Sequence, residues 1–278
     1  MRTIVSALLG LLALVAAAGG LACAWVDQNL VEESGFLAIT APLGQDTDFQ
    51  AALTASVVED FSANGGLPGP INALVAPVVG DATAAVTASA AYPDAWTEVL
   101  RRSHAVTLAH AADPSAPASA LLTLDLAPVA DLVADRVGGR LGFDIPAPED
   151  TTIAIGSIDR DGLAGVVVHA VQSWPWYLAG AGALGLMALV IARRRGTTLA
   201  LLGFGVVVIG VVGGLAVAWI PAAAARVPGT GAVAEVFLGG VADRVGIAVA
   251  EDSVPVAVAG LIAVVLGVVG ELAVGRRA

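Results

Sequence analysis

Four stretches of this chain run apolar for about 20 residues, the length of helix that crosses a hydrocarbon core of about 30 Å. They are Ile4 to Val26, Trp174 to Ala192, Leu199 to Ile220 and Val254 to Val274. Between the first two lie 147 residues, 27 to 173, in which apolar and polar positions alternate at the shorter periods of a folded domain. The pattern predicts a membrane α-helical protein. It has four transmembrane helices and a mostly helical α/β extracytoplasmic domain with a small sheet. Its parts are an N-terminal anchor (1–26), the domain (27–173) and a three-helix membrane region (174–278) with an outside loop at 221–253.

Charge orients these spans. The second and third are joined by "RRRGTT" (193–198), too short for anything but a tight hairpin on one face. With four spans, Arg2, the hairpin arginines Arg193, Arg194 and Arg195, and Arg276 and Arg277 fall on the same side. The excess of positive charge in cytoplasmic segments makes that side the cytoplasm, with both termini there if the first span is uncleaved. Trp25, Trp174, Trp176, Tyr177 and Trp219 lie at the opposite ends, where amphipathic rings anchor a span at the outer interface. The first span also fits a second reading. Its basic start, apolar run and Ala22-Cys23-Ala24 resemble a cleaved secretory signal, and "GLAC" approaches a lipoprotein box with glycine in place of a larger aliphatic residue.

Composition agrees with a membrane location. The chain is 57% hydrophobic and 13% charged, with a mean hydropathy of +0.85. All thirteen basic residues are arginine, which points to codon bias in a GC-rich genome rather than to a physical need. Cys23 is the only cysteine, so no intramolecular disulfide forms and no cysteine-based metal site is expected. Segment 27–173 carries nineteen Asp and Glu against five Arg, a net of −14, which disfavours nucleic acid as a partner. The simplest account of that charge is a solvated surface.

Within the domain, "DTDFQAALTASVVEDFSA" places Asp46 or Asp48 to cap a helix whose Phe49, Leu53, Val57 and Phe61 recur every four residues. "LPGPINALVAPVVGDATAAVTAS" reads as a helix kinked or divided at Pro77. A third helix starts at Pro93, runs to about Ala111 and aligns Trp96, Leu100 and His104. "ALLTLDL" (120–126) and "TTIAIGSI" (151–158) read as short strands, each followed by a helix-like stretch, which suggests two strand-helix units with their strands side by side. The hexapeptide "VADRVG" occurs at 133–138 and at 241–246, an echo that chance explains in a chain so rich in Ala, Val and Gly. Its second copy lies in "TGAVAEVFLGGVADRVG", read as an amphipathic helix resting on the membrane or on the large domain.

Candidate chemistry is sparse. There is no P-loop, G-x-S-x-G, H-E-x-x-H or S-x-x-K constellation. His104 and His110 are six residues apart and point to different helix faces, a poor arrangement for joint metal ligation. His169 reads as a buried, hydrogen-bonded ring. "DRDG" (159–162) opens like a calcium loop but lacks its later ligands, so a helix-capping turn is the plainer reading. Glu271, near the inner end of the fourth span, is an ion-path candidate or a carboxylate reaching headgroup water. Gly210 and Gly214, and Ala181 and Gly185, form small-x-x-x-small pairs suited to bundle packing or to a homo-oligomer. No cofactor and no metal are expected.

"WVDQNLVEESGFLAITAPLGQDTDFQAALTASVVEDF", "AYPDAWTEVLRRSHAVTLAH", "LLTLDLAPVADLV" and the arginine-joined hairpin resemble a broad group of uncharacterised actinobacterial integral membrane proteins. The resemblance covers nearly the whole chain and is one of pattern. It implies an anchor, an acidic extracytoplasmic domain and three further spans. It also implies a Trp and His eight apart on a helix as a binding pair, here Trp96 and His104; where the group has Asn-Arg ahead of the histidine, this chain has Arg101-Arg102. The resulting expectation is a non-enzymatic protein whose partners are the bilayer and an envelope or membrane protein. A small transporter or transport-complex subunit is the alternative, followed by an extracytoplasmic hydrolase using His104.

Overall fold

The computed structural model describes residues 2–64, 77, 80–112, 119–132, 152–159, 170–226 and 231–275. In chain order the elements begin with α1 (Arg2–Val26), a π-helical turn (Asp27–Val31), α2 (Glu33–Thr40), a 3-10 turn (Ala41–Gln45), α3 (Thr47–Asn64) and α4 (Tyr92–Ala112). Strands β1 (Ser119–Asp125) and β2 (Thr152–Asp159) follow, then α5 (Trp174–Ile191), α6 (Arg195–Ala216), α7 (Ile220–Ala224) and α8 (Ala232–Gly275). The chain divides into two compact units, residues 1–28, 166–220 and 246–278 in one and residues 29–165 and 221–245 in the other.

The first unit is a bundle of four helices long and apolar enough to cross a membrane. Its packing follows from where its small residues fall. On α1 the buried positions are Ser6, Gly10, Ala13, Gly20 and Ala24, while Leu8, Leu11, Leu12 and Val15 are exposed. A bundle in water would do the reverse. Small side chains between helices let backbones approach, and large aliphatic ones facing outward suit a hydrocarbon surround. Gly20 lies under Leu178 and Tyr177 of α5, Ala13 faces Gly185, and the Ser6 hydroxyl donates to the Ala188 carbonyl at 2.8 Å.

Between α6 and the later part of α8 the approach is closer still. A Cβ on Gly203 would stand 2.6 Å from the Val264 nitrogen and 2.7 Å from the Gly260 oxygen, and one on Gly196 would stand 2.6 Å from the Gly267 oxygen. Gly210 meets Ala257 and Ser253 in the same way, and Gly246 lies against Val217. The four rungs, 196 with 267, 203 with 260, 210 with 253 and 217 with 246, run antiparallel at seven-residue intervals. That spacing is the repeat that keeps one seam of a helix facing its partner. The four-residue pair read from the sequence is not the main contact, because Gly214 has only the Ser253 Cβ at 3.8 Å.

These contacts also fix the directions of the helices within the bundle. One end gathers the start of α1, the α5–α6 hairpin and Glu271; the other gathers Trp25, Asp27, Trp174, Val217 and Asp252.

One expectation is corrected in part. The helix read in 221–253 is present and packs into the second unit, but it is not separate from the fourth span: α8 runs from Ala232 to Gly275 without a break. The charges of Glu235, Asp243, Arg244, Glu251 and Asp252 lower the hydropathy there without breaking the helix, and Pro255 is accommodated inside it. Residues 232–245 bury Val233, Ala234, Phe237 and Ala242, and Ala234 and Phe237 join the core of the second unit.

The second unit is built around that core, which also contains Leu43, Phe49, Val86, Tyr92, Trp96, Val99, Leu100, Leu124 and Ile155. β1 and β2 pair antiparallel from Ser119 with Asp159 to Asp125 with Thr152, with an irregularity at Leu122/Thr123. Of the two possible caps for α3, Asp46 is the one used. Its Oδ1 accepts the backbone N–H groups of Asp48 and Phe49, both at 3.1 Å. Asp125 does the same for the helical residues 127–132, accepting the Ala127 N–H at 3.0 Å. The first "VADRVG" copy, the Pro77 kink, "DRDG" beyond Asp159, and His169 lie outside the described residues apart from Pro77 itself.

Candidate functional site

Trp96 and His104 stand on α4, whose first turn holds Pro93 and Asp94 as expected of a helix start. Tyr92, Trp96, Val99, Leu100, Ser103 and His104 are all buried, at the three- and four-residue spacings of one helical face. On the other side Glu98 accepts from Arg101 Nη2 at 2.6 Å and from Arg102 Nε at 2.7 Å. Arg102, and then Arg101, hold the Glu98 carboxyl below its ordinary range, and Glu98 in turn raises Arg102.

Trp96 is 1% exposed and enclosed by aromatic rings. Phe49 and Phe237 meet it edge-on at centroid distances of 5.5 and 6.1 Å, and Tyr92 stacks at 6.1 Å. Gly44 in the 3-10 turn closes the remaining side, since a Cβ there would lie 2.5 Å from Trp96 Cδ1. Its indole N–H, the Tyr92 hydroxyl, Ser89 Oγ and Thr123 Oγ1 are buried with no hydrogen-bond partner among the described residues. Burial also pushes the Tyr92 phenol well above its ordinary value, so it stays neutral.

His104 is 8% exposed and is held from two directions. Its imidazole N–H donates to the Leu30 carbonyl in the π-helical turn at 3.0 Å, and its ring stacks on Phe36 of α2 at 4.6 Å. One turn of side chain away, Ser103 Oγ donates to the Val99 carbonyl at 2.6 Å and accepts the Asp125 N–H at 2.9 Å, tying α4 to the end of β1. Trp96 and His104 therefore lie on one helix face but touch different neighbours, the aromatic core in one case and the π-turn and α2 in the other. His110 is in α4, and its side chain is outside the described set.

Asp46 is a second polar junction. Besides capping α3, its Oδ2 accepts from Arg244 Nη2 at 3.1 Å, which gives the second "VADRVG" copy a definite contact. The backbone N–H of Phe49 is the leading cause that lowers the Asp46 pKa, with Asp48 and Arg244 adding to it. No set of three or more His, Cys, Asp or Glu side chains among the described residues is placed to hold a metal ion.

The topology residues sort by bundle end. Arg2, Arg193, Arg194 and Arg195 are exposed at one end; Arg276 and Arg277 lie outside the described residues. At the other end the Trp25 indole donates to Asp252 Oδ2 and the Trp174 indole to Asp27 Oδ2, both at 2.9 Å. Trp176 and Trp219 are 80% and 73% exposed, and Tyr177 is exposed as well. Sequence reasoning missed the partners Asp27 and Asp252, the seven-residue glycine ladder and the seat at Gly44. Only the ladder left a readable signal, in the repeated interval Gly196, Gly203, Gly210. Glu271, weighed as part of an ion path, accepts the Thr197 backbone N–H at 3.3 Å near the start of α6. The chain matches no protein-family model, no curated protein and no solved structure.

Proposed function

We propose that this multi-pass membrane protein holds residues 27–173 outside the cytoplasm and uses them to bind a protein or a component of the cell envelope. The observation that carries this reading is the sorting of the bundle: exposed arginines at one end, indole rings and the carboxylates they bond at the other. Positive charge marks the cytoplasmic side and Trp the interface, so the chain leaves the bundle at residue 28 on the outer side. Both termini then lie in the cytoplasm. Retention of α1 is supported by its packing, since cleavage near Cys23 would strip Ser6, Gly10, Ala13 and Gly20 from their neighbours.

Binding rather than catalysis is supported by how the polar side chains are used. The His104 N–H is engaged by a backbone carbonyl and its ring by Phe36, so it is placed as a packing residue rather than as a base facing a substrate. The features that motivate a transport reading have structural roles: the glycines bring α6 and α8 together, and Glu271 meets the α6 backbone. The acidic composition of residues 27–173 favours a basic or neutral partner over nucleic acid.

The test is crosslinking of the full-length protein in living cells, with partners identified by mass spectrometry and compared across single charge reversals on exposed residues of 29–132. Impermeant maleimide labelling of a cysteine introduced at Asp48 reports the side. Partners lost on charge reversal and labelling from outside are the expected results. Labelling only after lysis overturns the topology, and identical partners in every variant overturn the binding surface.

A further inference from the structure

The arginine end of the bundle is short of negative charge. Among its described residues stand Arg2, Arg193, Arg194 and Arg195, all exposed, with one carboxylate, Glu271. None of the four arginines forms an ion pair among the described residues. Glu271 is turned to the backbone of Thr197 instead.

Helix polarity leaves the deficit as it is. α1 and α6 begin at this end while α5 and α8 finish there, so the half charges of the helix termini offset one another. Arg2 opens α1, and Arg194 and Arg195 stand at the N-cap and first position of α6, where basic side chains oppose the helix dipole. Arg194 supplies no side-chain acceptor for the first N–H groups of α6. Among the described residues the guanidinium groups of this end thus have no ion-paired carboxylate, and Glu271 is engaged by the Thr197 N–H.

Depth indicates a partner for them. α5 has 18 residues and α6 has 22, lengths of about 27 and 33 Å at 1.5 Å per residue, which match a hydrocarbon core of about 30 Å. Residues 193–195 between them therefore stand at the level of the phospholipid phosphates. A guanidinium matches a phosphate with two parallel hydrogen bonds, and each basic residue near an anionic surface contributes about 1 kcal/mol.

We propose that Arg193, Arg194 and Arg195 form a binding site for the headgroup of an anionic phospholipid. The site lies wholly within the membrane bundle and goes beyond the reading of residues 27–173, whose failure would leave it standing. The test is titration of the full-length protein in detergent with short-chain phosphatidylglycerol, phosphatidylcholine and inorganic phosphate, with bound copies counted by native mass spectrometry. The variants are R193Q/R194Q/R195Q and R193K/R194K/R195K; the second keeps the charge and serves if the first fails to fold.

Phosphatidylglycerol is expected to bind the wild type more tightly than phosphatidylcholine. Its affinity should fall about five-fold for each arginine neutralised, and by less in the lysine variant, which loses only the paired geometry. Equal affinity for the two lipids overturns the proposal, as does undiminished phosphatidylglycerol binding in the glutamine variant or, should that variant not fold, in the lysine variant. Inorganic phosphate that displaces the lipid at equal concentration assigns the site to free phosphate and overturns the lipid assignment.

Discussion

The two units of this chain solve the same problem with opposite residues. In the bundle of long apolar helices the interior is mostly glycine, alanine and serine, and the surface is leucine, isoleucine and valine. In the second unit the interior is Trp96, Tyr92, Phe49 and Phe237, and the charged residues Glu98, Arg101 and Arg102 lie outside. The difference is the one expected between a hydrocarbon and an aqueous surround. In water, burying a large ring removes apolar surface from solvent and drives folding. In lipid that drive is absent between helices, and stability depends on how closely backbones approach. The same change, glycine to alanine, can be made in both units, and its cost should depend on whether the added methyl meets backbone or a side chain.

The largest effect is expected at the aromatic core. Trp96→Ala should destabilise the second unit by about 3–5 kcal/mol, read from thermal unfolding of the full-length protein followed by near-UV circular dichroism. Trp96→Phe should cost much less, since it keeps most of the ring packing and removes the unpartnered indole N–H. If the two variants melt alike, ring packing is not what holds this core.

Next come two glycines. Gly203→Ala forces a methyl against the Val264 backbone, which cannot swing aside as a side chain can, and should cost about 1–3 kcal/mol. Gly214→Ala, with ordinary contact distances, is expected within about 0.5 kcal/mol of wild type. Equal melting temperatures for these two variants would dismiss the ladder. Gly44→Ala should destabilise as well, because its methyl meets Trp96, but by less than a backbone clash if the ring can shift.

The smallest effect is one of pH. The folded state holds the Asp46 carboxyl below its ordinary value, so its stabilisation is complete above that value and is lost as pH falls through the depressed one. The melting temperature should decline as pH drops from about 5 to about 3, and Asp46→Ala should flatten part of that decline. An unchanged slope in the variant would remove Asp46 from the account.

Much of this contrast was legible in the sequence, and the reasons are local. Spans show as runs of apolar residues, the strands at 120–126 and 151–158 fall within a residue of β1 and β2, and the helix from Pro93 matches α4. Each depends on neighbours a few positions away. The continuity of α8 was not legible, because hydropathy reports the charges of 235–252 and not whether the backbone keeps turning. The ladder pairs residues 29 to 71 positions apart, and glycine lowers the hydropathy of the spans it joins, so its repeat carries little weight in a window average. For the candidate pair, α4 could be read to place Trp96 and His104 on one face. Their separate neighbours, Phe237 from α8 and Leu30 from the π-turn, arise only in three dimensions.

A ladder with evenly spaced rungs does not by itself choose its alignment. Sliding α8 along α6 by seven residues, about 10 Å, would set Gly196 opposite Gly260 and Gly203 opposite Ser253, with small residues still meeting small. What distinguishes the native alignment stands at the two ends: Glu271 reaching Thr197 at one, and Val217 resting on Gly246 at the other. Glu271, the one carboxylate among the described residues at the arginine end, thus serves as a ruler's stop, setting where along its partner a forty-four-residue helix comes to rest.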